Sequence, residues 1–266
     1  MTGNPPDRKA QTRTQFNSLA ASYDAGPGCF AHFGRVLVAA AGVGPGQDVL
    51  DVAAGRGAVL FPAAEAVGRT GHVVGVDLAD AMAQAANADA ARLNLNAKVN
   101  VGDADNLDFP AGTFDRVLSG FGLMFFPDQD GALREFRRVL KPEGKIGIST
   151  WRVDQANELK AVASQMGVQA AEPPGWITEP DELSRILTRA GFSNVRVELN
   201  AHAFRYVDID EYWSAARGTG FRRVLDSLDA ITRQKMRAAL SERVRPHQRA
   251  DGLHLEAIAL IAVADR

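Results

Sequence analysis

Residues 47–150 alternate between two hydrophobic periods, and this restricts the fold more than any other feature of the chain. Short apolar runs rich in β-branched residues, beginning with Asp48-Val49-Leu50-Asp51-Val52 and Val73-Val74-Gly75-Val76-Asp77, have the composition of strands buried on both faces. Between them lie segments with apolar residues at helical spacing; in 129–140 the stripe is Leu133, Phe136, Val139 and Leu140. Strand and helix in regular succession predict a parallel sheet covered by helices. Further strands are expected at 97–101, 114–119 and 144–151, the last introduced by the turn Lys141-Pro142-Glu143-Gly144, with helices at 58–67, 80–93 and 129–140.

Beyond Trp151 the alternation loosens. A helix is expected at 154–167, then the turn-rich Glu172-Pro173-Pro174-Gly175-Trp176, then a helix opened by Glu179-Pro180-Asp181-Glu182, whose acids suit a first turn. A sixth strand at 195–199, helices across 212–244 with a break at 218–220, and a last strand at 255–263 complete the pattern. The expectation is one domain over 1–266: an N-terminal helical lid at 1–43, a ligand-binding core at 44–151, lid insertions at 152–178 and 201–253, and segments 179–200 and 254–266 completing the sheet. The lids would cover the carboxyl edge, where open α/β sheets bind ligands.

Composition narrows the partners. With 30 basic against 32 acidic residues the formal net charge is −2, so there is no overall positive field to hold a nucleic acid. The single cysteine, Cys29, excludes an intrachain disulfide and any multi-thiolate metal site, and no metal is expected. The polar start of the chain does not read as a signal peptide or anchor, and the apolar run at 255–264 is interrupted by Glu256 and only strand-length. A cytoplasmic protein with no membrane insertion and a small-molecule substrate is expected; monomer and homo-oligomer both remain open.

The chemistry concentrates after the first strand. Val49-Leu50-Asp51-Val52 runs into Ala53-Ala54-Gly55-Arg56-Gly57 and then the apolar Ala58-Val59-Leu60. Glycines there let the backbone turn sharply and approach a ligand, while the helix start offers unpaired N–H groups to a carboxylate. A dinucleotide fingerprint would need a third glycine where Leu60 stands; a tight turn that binds nothing is the bland alternative. Asp77, ending the second strand, is placed to accept hydrogen bonds from vicinal ribose hydroxyls. Its bland reading is a helix N-cap, a duty Asp80 is expected to take. Met82 either lies against an adenine or fills the core. Asp103, followed by Ala104, suits the amino group and a ring nitrogen of adenine; the alternative for Asp103 and Asp105 is a pair of solvated loop acids.

Taken in order, these motifs, together with Gly102-Asp103-Ala104, Phe109-Pro110-Ala111-Gly112-Thr113-Phe114-Asp115 and the run Arg134 to Gly144, resemble the class I S-adenosylmethionine-dependent methyltransferases. The likeness is strongest to the branch with ubiquinone and menaquinone biosynthesis enzymes and natural-product methyltransferases, and it covers roughly residues 16–151. It implies a doubly wound, seven-stranded, mostly parallel α/β sheet with an antiparallel last strand, and S-adenosyl-L-methionine as donor, S-adenosyl-L-homocysteine being the product. It further implies that Gly55, with Ala53 and Gly57, adjoins the methionine portion, that Asp77 with Leu78 meets ribose, that Asp103 and Ala104 meet adenine, and that Ser119 borders the amino-acid end. Ala53 stands where the family often has glycine. The family's N-terminal pattern appears as Phe16-Asn17 and Ala21-Ser22-Tyr23-Asp24, and a ring such as Tyr23 would close over a sulfonium or merely pin the first helix.

Methyl transfer from a sulfonium is an in-line displacement, so bringing a nucleophile to about 3–3.5 Å of the methyl group in a dry pocket is the main task. Should a base assist, Tyr23, His32, Glu172 and His202 are the candidates, each equally readable as a residue without chemical duty. Phe121, Trp176, Tyr206, Trp213 and Phe221 are candidate walls for a hydrophobic substrate, and Arg217, in Arg217-Gly218-Thr219-Gly220-Phe221-Arg222-Arg223, is a candidate for a phosphate on it. The expected reaction is methylation of oxygen or carbon of a small hydrophobic metabolite. Three alternatives stand beside it. One is a prenyl diphosphate C-methyltransferase using Mg2+ and Glu172 as base. The others are a protein that binds the donor without catalysis and an NAD-dependent dehydrogenase.

Overall fold

A computed structural model describes residues 7–24, 26–152, 158–168 and 175–266. Two N-terminal helices, α1 (Arg8–Leu19) and α2 (Cys29–Ala40), precede the alternating stretch. There follow β1 (Asp48–Val52), α3 (Leu60–Val67), β2 (His72–Asp77), α4 (Asp80–Arg92), β3 (Ala97–Val101), β4 (Phe114–Gly120), α5 (Gln129–Val139) and β5 (Leu140–Trp151). Next come α6 (Glu158–Gln165), α7 (Pro180–Arg189), β6 (Ser193–Tyr206), α8 (Ile209–Arg217), α9 (Arg222–Ser227), α10 (Ala230–Val244), β7 (Gln248–Arg249) and β8 (Gly252–Asp265).

The strands form one sheet in the order β3-β2-β1-β4-β5-β8-β6, with the two-residue β7 attached to β8. The first five strands are parallel, and β8 runs antiparallel to both β5 and β6. This is the doubly wound, mostly parallel sheet expected, with β7 as an added hairpin arm. Strand order reverses between β1 and β4, which opens a crevice at their carboxyl ends.

One face of the sheet is buried by α2 and α3 through Phe33, Leu37, Leu60 and Ala63, the other by α5 and α7 through Leu133, Phe136, Leu183 and Leu187. Leu50 and Val117 on the second face and Val49 and Leu118 on the first are all 0% exposed, which is why these strands read as continuous apolar runs rather than as an alternation. Gly34 of α2 sits against the loop after β1, where an added Cβ would fall 1.9 Å from the Ala58 carbonyl oxygen. The absent side chain sets how closely α2 approaches that loop.

Three expectations change. α3 begins at Leu60 rather than at 58, because the glycine turn continues through Gly57. β5 starts at Leu140, directly after α5, with a register shift against β4 between Phe114 and Arg116, so Lys141 to Gly144 are extended rather than a separate turn. β6 reaches Tyr206 instead of stopping at 199, since β8 pairs with it from Ala201↔Ile258 through Tyr206↔Leu253. Residues 201–206, expected in an insertion, thus belong to the sheet. As an edge strand, β6 is buried by few neighbours and lacks the apolar run that marks a central strand. α10 packs on α6, joining Met236, Leu240 and Val244 to Leu159, Val162 and Ala163 in the first core. Among the described residues no helix is long and apolar enough to cross a membrane.

Candidate functional site

The loop after β1 is built on left-handed backbone. Ala53, Gly55 and Gly57 have φ of 60°, 53° and 90°, and a Cβ added at Gly55 would meet nothing within 4 Å. Two hydrogen bonds then fix the Asp77 carboxylate beside it: Oδ2 accepts from the Gly55 amide at 2.7 Å and Oδ1 from the Ala79 amide at 2.8 Å. Each oxygen keeps acceptor capacity. Burial raises the Asp77 carboxyl above its ordinary range, against the pull of those two amides. Asp80 does not cap α4. The cap comes from α1, where Asn17 accepts from the Ala81 amide at 3.0 Å and donates to Asp80 at 2.7 Å.

Asp77 lies in a cleft whose empty space, open mouth included, is about 750 Å3. Ala53, Gly55, Asp77, Leu78, Asp103 and Ala104 all line it, as do Tyr23 and Phe121. Asp103 already has a partner that was not foreseen: Lys9 Nζ of α1 donates to Asp103 Oδ2 at 2.6 Å and to Asp105 at 2.6 Å. Burial pushes the Asp103 carboxyl up, but Lys9 and hydrogen bonds with Asp105 together hold the net value below the usual range. Of the remaining expected donor residues, Gly57 lines a second cleft. Met82 is 0% exposed and packs with Leu19, Ala20 and Ala79 between α1 and α4, and so takes the core-filling role. Ser119 is likewise 0% exposed, its hydroxyl buried without a partner among the described residues.

Aromatic rings roof the first cleft. Phe16 meets Phe125 edge-on at 5.0 Å, Tyr23 stacks on Phe30 at 5.0 Å, and Phe121 lies 4.2 Å from Trp151. Phe125 and Phe126 face the cleft, whereas Trp151 packs behind Phe121. Among the described base candidates Tyr23 alone lines the cleft, and burial drives its phenol far above the ordinary value, with Asp24 and Asp77 adding to the effect. His32 and His202 stack on each other at 3.8 Å and line neither cleft; burial first, then His202 and Arg35, lower the His32 value. Glu172 lies outside the described residues.

The other substrate candidates sit elsewhere. Tyr206 is buried edge-on to Tyr212 at 5.0 Å, and Trp213 and Phe221 pack against the first core. Trp176 carries Lys160 Nζ 4.9 Å above its ring. Arg217 and Arg222 both face Asp226, at 3.7 and 3.1 Å, which neutralises part of the basic cluster. Among the described residues no three His, Cys, Asp or Glu side chains are grouped to hold a metal.

A second cleft, of about 910 Å3 with its mouth, shares Tyr23, Ala53, Gly55, Gly120 and Phe121 with the first and adds Asp24, Arg35, Asp51, Arg56 and Glu65. Asp51 is 1% exposed and neither carboxylate oxygen has a hydrogen-bond partner among the described residues. Burial, and after it the charge of Asp77, pushes its carboxyl well above the usual range. Sequence reasoning saw Asp51 only as part of a strand and passed over Lys9 and Arg35, since nothing local marks a residue of α1 or α2 as facing a loop far along the chain.

Ala53 shows how the loop tolerates a side chain where glycine is common. Its left-handed φ costs about 1–2 kcal/mol for an L-residue, and its Cβ fills the room a side chain at Gly122 would need, since an added Cβ there would lie 2.6 Å away. Ala53→Gly is expected to stabilise the protein by about 0.5–1 kcal/mol, the strain relieved exceeding the entropy added to the unfolded chain. Gly122→Ala should cost about 1–3 kcal/mol. In chemical denaturation, the double variant should recover part of that loss; strict additivity would refute the packing link.

Residues 49–144 match a family profile described as a methyltransferase domain. The chain is 34% identical over 174 residues to the demethylmenaquinone methyltransferase of Staphylococcus aureus (strain JH9), covering 59% of this chain and 72% of that protein. The chain belongs to the class I S-adenosylmethionine-dependent methyltransferases. Another relative of this methyltransferase, the nocamycin O-methyltransferase of Saccharothrix syringae, is 44% identical over 136 residues, 50% of this chain; the match spans about half, 49%, of that relative's length. In fold the methyltransferase is similar to phosphoethanolamine N-methyltransferase 2 of Haemonchus contortus, solved in complex with S-adenosyl-L-methionine. That likeness has a TM-score of 0.62 at 20% identity and covers 98% of this chain and 60% of that one.

Proposed function

We propose that this methyltransferase transfers a methyl group from S-adenosyl-L-methionine to oxygen or carbon of a small hydrophobic acceptor. The observation that carries the reading is the joining, in one cleft, of an immobilised Asp77 carboxylate beside an open glycine turn with the rings of Phe16, Tyr23, Phe121, Phe125 and Phe126. The donor fits the residues present. Asp77 retains lone pairs for ribose hydroxyls, Asp103 and Ala104 stand beyond it for adenine once Lys9 yields to the base or shifts fully to Asp105, and Gly55 leaves space for the chain beyond the sugar. When bound, the donor supplies an electrophilic methyl group on a sulfonium.

The protein's part is positioning and exclusion of water. Ring faces favour a cation electrostatically, and the aromatic roof keeps the nucleophile poorly hydrated. Tyr23 lines the same cleft. Held neutral by burial, its phenol serves as a hydrogen-bond donor rather than as a base. One relative is named a nocamycin O-methyltransferase and another a demethylmenaquinone methyltransferase, which supports a small-molecule acceptor here. The prenyl diphosphate reading is less well supported among the described residues, since Arg217 and Arg222 face Asp226 and line neither cleft.

Incubation with isotopically labelled S-adenosyl-L-methionine and a panel of phenolic, quinol and polyketide acceptors, read by mass spectrometry, tests the proposal. Label should enter at least one hydrophobic acceptor and be absent from nucleic acid and from a matched set of highly polar acceptors. Tight donor binding with no transfer to any acceptor would instead leave a donor-binding protein.

A further inference from the structure

Lys9, Thr12 and Phe16 stand at helical spacing on one face of α1, and all three line the first cleft. Among the described residues Lys9 is the one cationic side chain that does so. An ammonium group has three donors, and here each meets a carboxylate oxygen: Lys9 Nζ donates to Asp103 Oδ2 at 2.6 Å and to the two oxygens of Asp105 at 2.6 and 2.8 Å. Lys9 and Asp103 are each 33% exposed and Asp105 22%, so solvent and salt screen the bridge less than they would a surface pair. The turn that presents both acids is closed by the Asn106 amide on the Asp103 carbonyl, at 3.2 Å. Within that turn Asp103 Oδ1 accepts from the Asp105 amide at 3.4 Å, and Oδ2 is the oxygen that Lys9 holds.

Asp103 is also the acceptor that the donor reading gives to the adenine amino group. An ammonium makes a stronger hydrogen bond to a carboxylate than a neutral amino group does, so adenine gains Asp103 only by displacing part of the bridge. Asp105 makes that displacement feasible. With two of its three bonds already on Asp105, Lys9 can release Asp103 and keep its charge compensated. α1 need not leave the cleft, because three contacts farther along hold it: Asn17 accepts from the Ala81 amide at 3.0 Å, the Ser18 carbonyl accepts from Arg222 at 3.1 Å, and Leu19 is buried.

We propose that Lys9 sets donor affinity and nucleobase selectivity by competing with the adenine amino group for Asp103, with Asp105 as the carboxylate that receives it. This rests on the donor reading above. To the extent that Lys9 holds Asp103, apparent donor affinity falls in proportion. A nucleobase with a carbonyl in place of the amino group reverses the relation: its oxygen accepts from the Lys9 ammonium, whereas Asp103 alone repels it.

Isothermal titration calorimetry with S-adenosylhomocysteine and with S-inosylhomocysteine, in which a carbonyl oxygen replaces the adenine amino group, tests the competition. Lys9→Met keeps an apolar stem and removes the charge. It should tighten S-adenosylhomocysteine by about 3- to 10-fold, as expected for release from a partly exposed ion pair, and weaken S-inosylhomocysteine. Asp105→Asn leaves Asp103 as the full charge opposite Lys9, and should weaken S-adenosylhomocysteine by about 3-fold; in the Lys9→Met background the same substitution should change it by less than about two-fold. Affinity above wild type also shows that Lys9→Met is folded. Unchanged or weaker S-adenosylhomocysteine binding in Lys9→Met overturns the competition, the weaker result making Lys9 a clamp on the donor instead. An equal effect of Asp105→Asn with and without Lys9 removes Asp105 from it, and absence of S-inosylhomocysteine binding to the wild type overturns the selectivity. If the wild type fails to bind S-adenosylhomocysteine at all, the donor reading falls and the competition with it; if it binds and Lys9→Met does not tighten it, the donor reading stands and the competition alone is lost.

Discussion

Asp77→Ala is expected to weaken S-adenosylhomocysteine binding by about 100-fold or more in calorimetric titration. The carboxylate would accept from the ligand's ribose and also holds the Gly55 amide at 2.7 Å and the Ala79 amide at 2.8 Å. Removing it therefore deletes ligand contacts and releases the loop that shapes the cleft. Hydrogen bonds to a charged group contribute about 1.5–3 kcal/mol each, so losing a pair of them amounts to two or more orders of magnitude. Asp77→Asn is informative beside it: it keeps the shape but turns an acceptor into a donor facing one of those amides, and should bind little better than alanine. Unchanged affinity in both variants would remove Asp77 from the site and with it the basis for the nucleoside assignment.

Gly34→Ala should be the most damaging single methyl group in the N-terminal half. The new Cβ would lie 1.9 Å from the Ala58 carbonyl oxygen and 2.6 Å from its carbon, and backbone held between β1 and α3 has no rotamer by which to yield. Overpacking in a core costs about 1–3 kcal/mol, occasionally more, and here the upper end is expected because the whole of α2 must move. For a chain of this size that corresponds to a fall in thermal midpoint of about 6–12 °C. Phe30, on which Tyr23 stacks, travels with the helix, so donor affinity should fall in the same variant. A Gly34→Ala protein with unaltered melting would show that α2 rests on the loop less closely than the coordinates describe.

Most of the core was legible because its strands are buried on both faces and its helices on one. The β1 and β2 bounds follow from runs such as Val49 to Val52 and Val73 to Asp77, where local composition and final burial agree. β6 was shortened because an edge strand with one neighbour needs no apolar run, and its length is decided by β8. Among site residues, those in the loops after β1, β2 and β3 were recoverable from motif position, since each sits on the strand it follows. The lid aromatics were not. Trp213 and Phe221 have the size and polarity of substrate walls, but they pack into the core, and composition does not distinguish the two fates.

The amino-acid sequence alone determined the doubly wound sheet, the glycine turn and the placement of Asp77 and Asp103 at strand ends, because these depend on periodicity and on backbone conformations few residues adopt. Tertiary structure decided which distant side chains meet them: Lys9 on Asp103, Asn17 on the start of α4, and Arg35 beside the unsatisfied Asp51. Such pairings bring together residues up to 94 positions apart. They arise from how α1 and α2 pack over the sheet's carboxyl edge, and no local pattern in either segment encodes that docking.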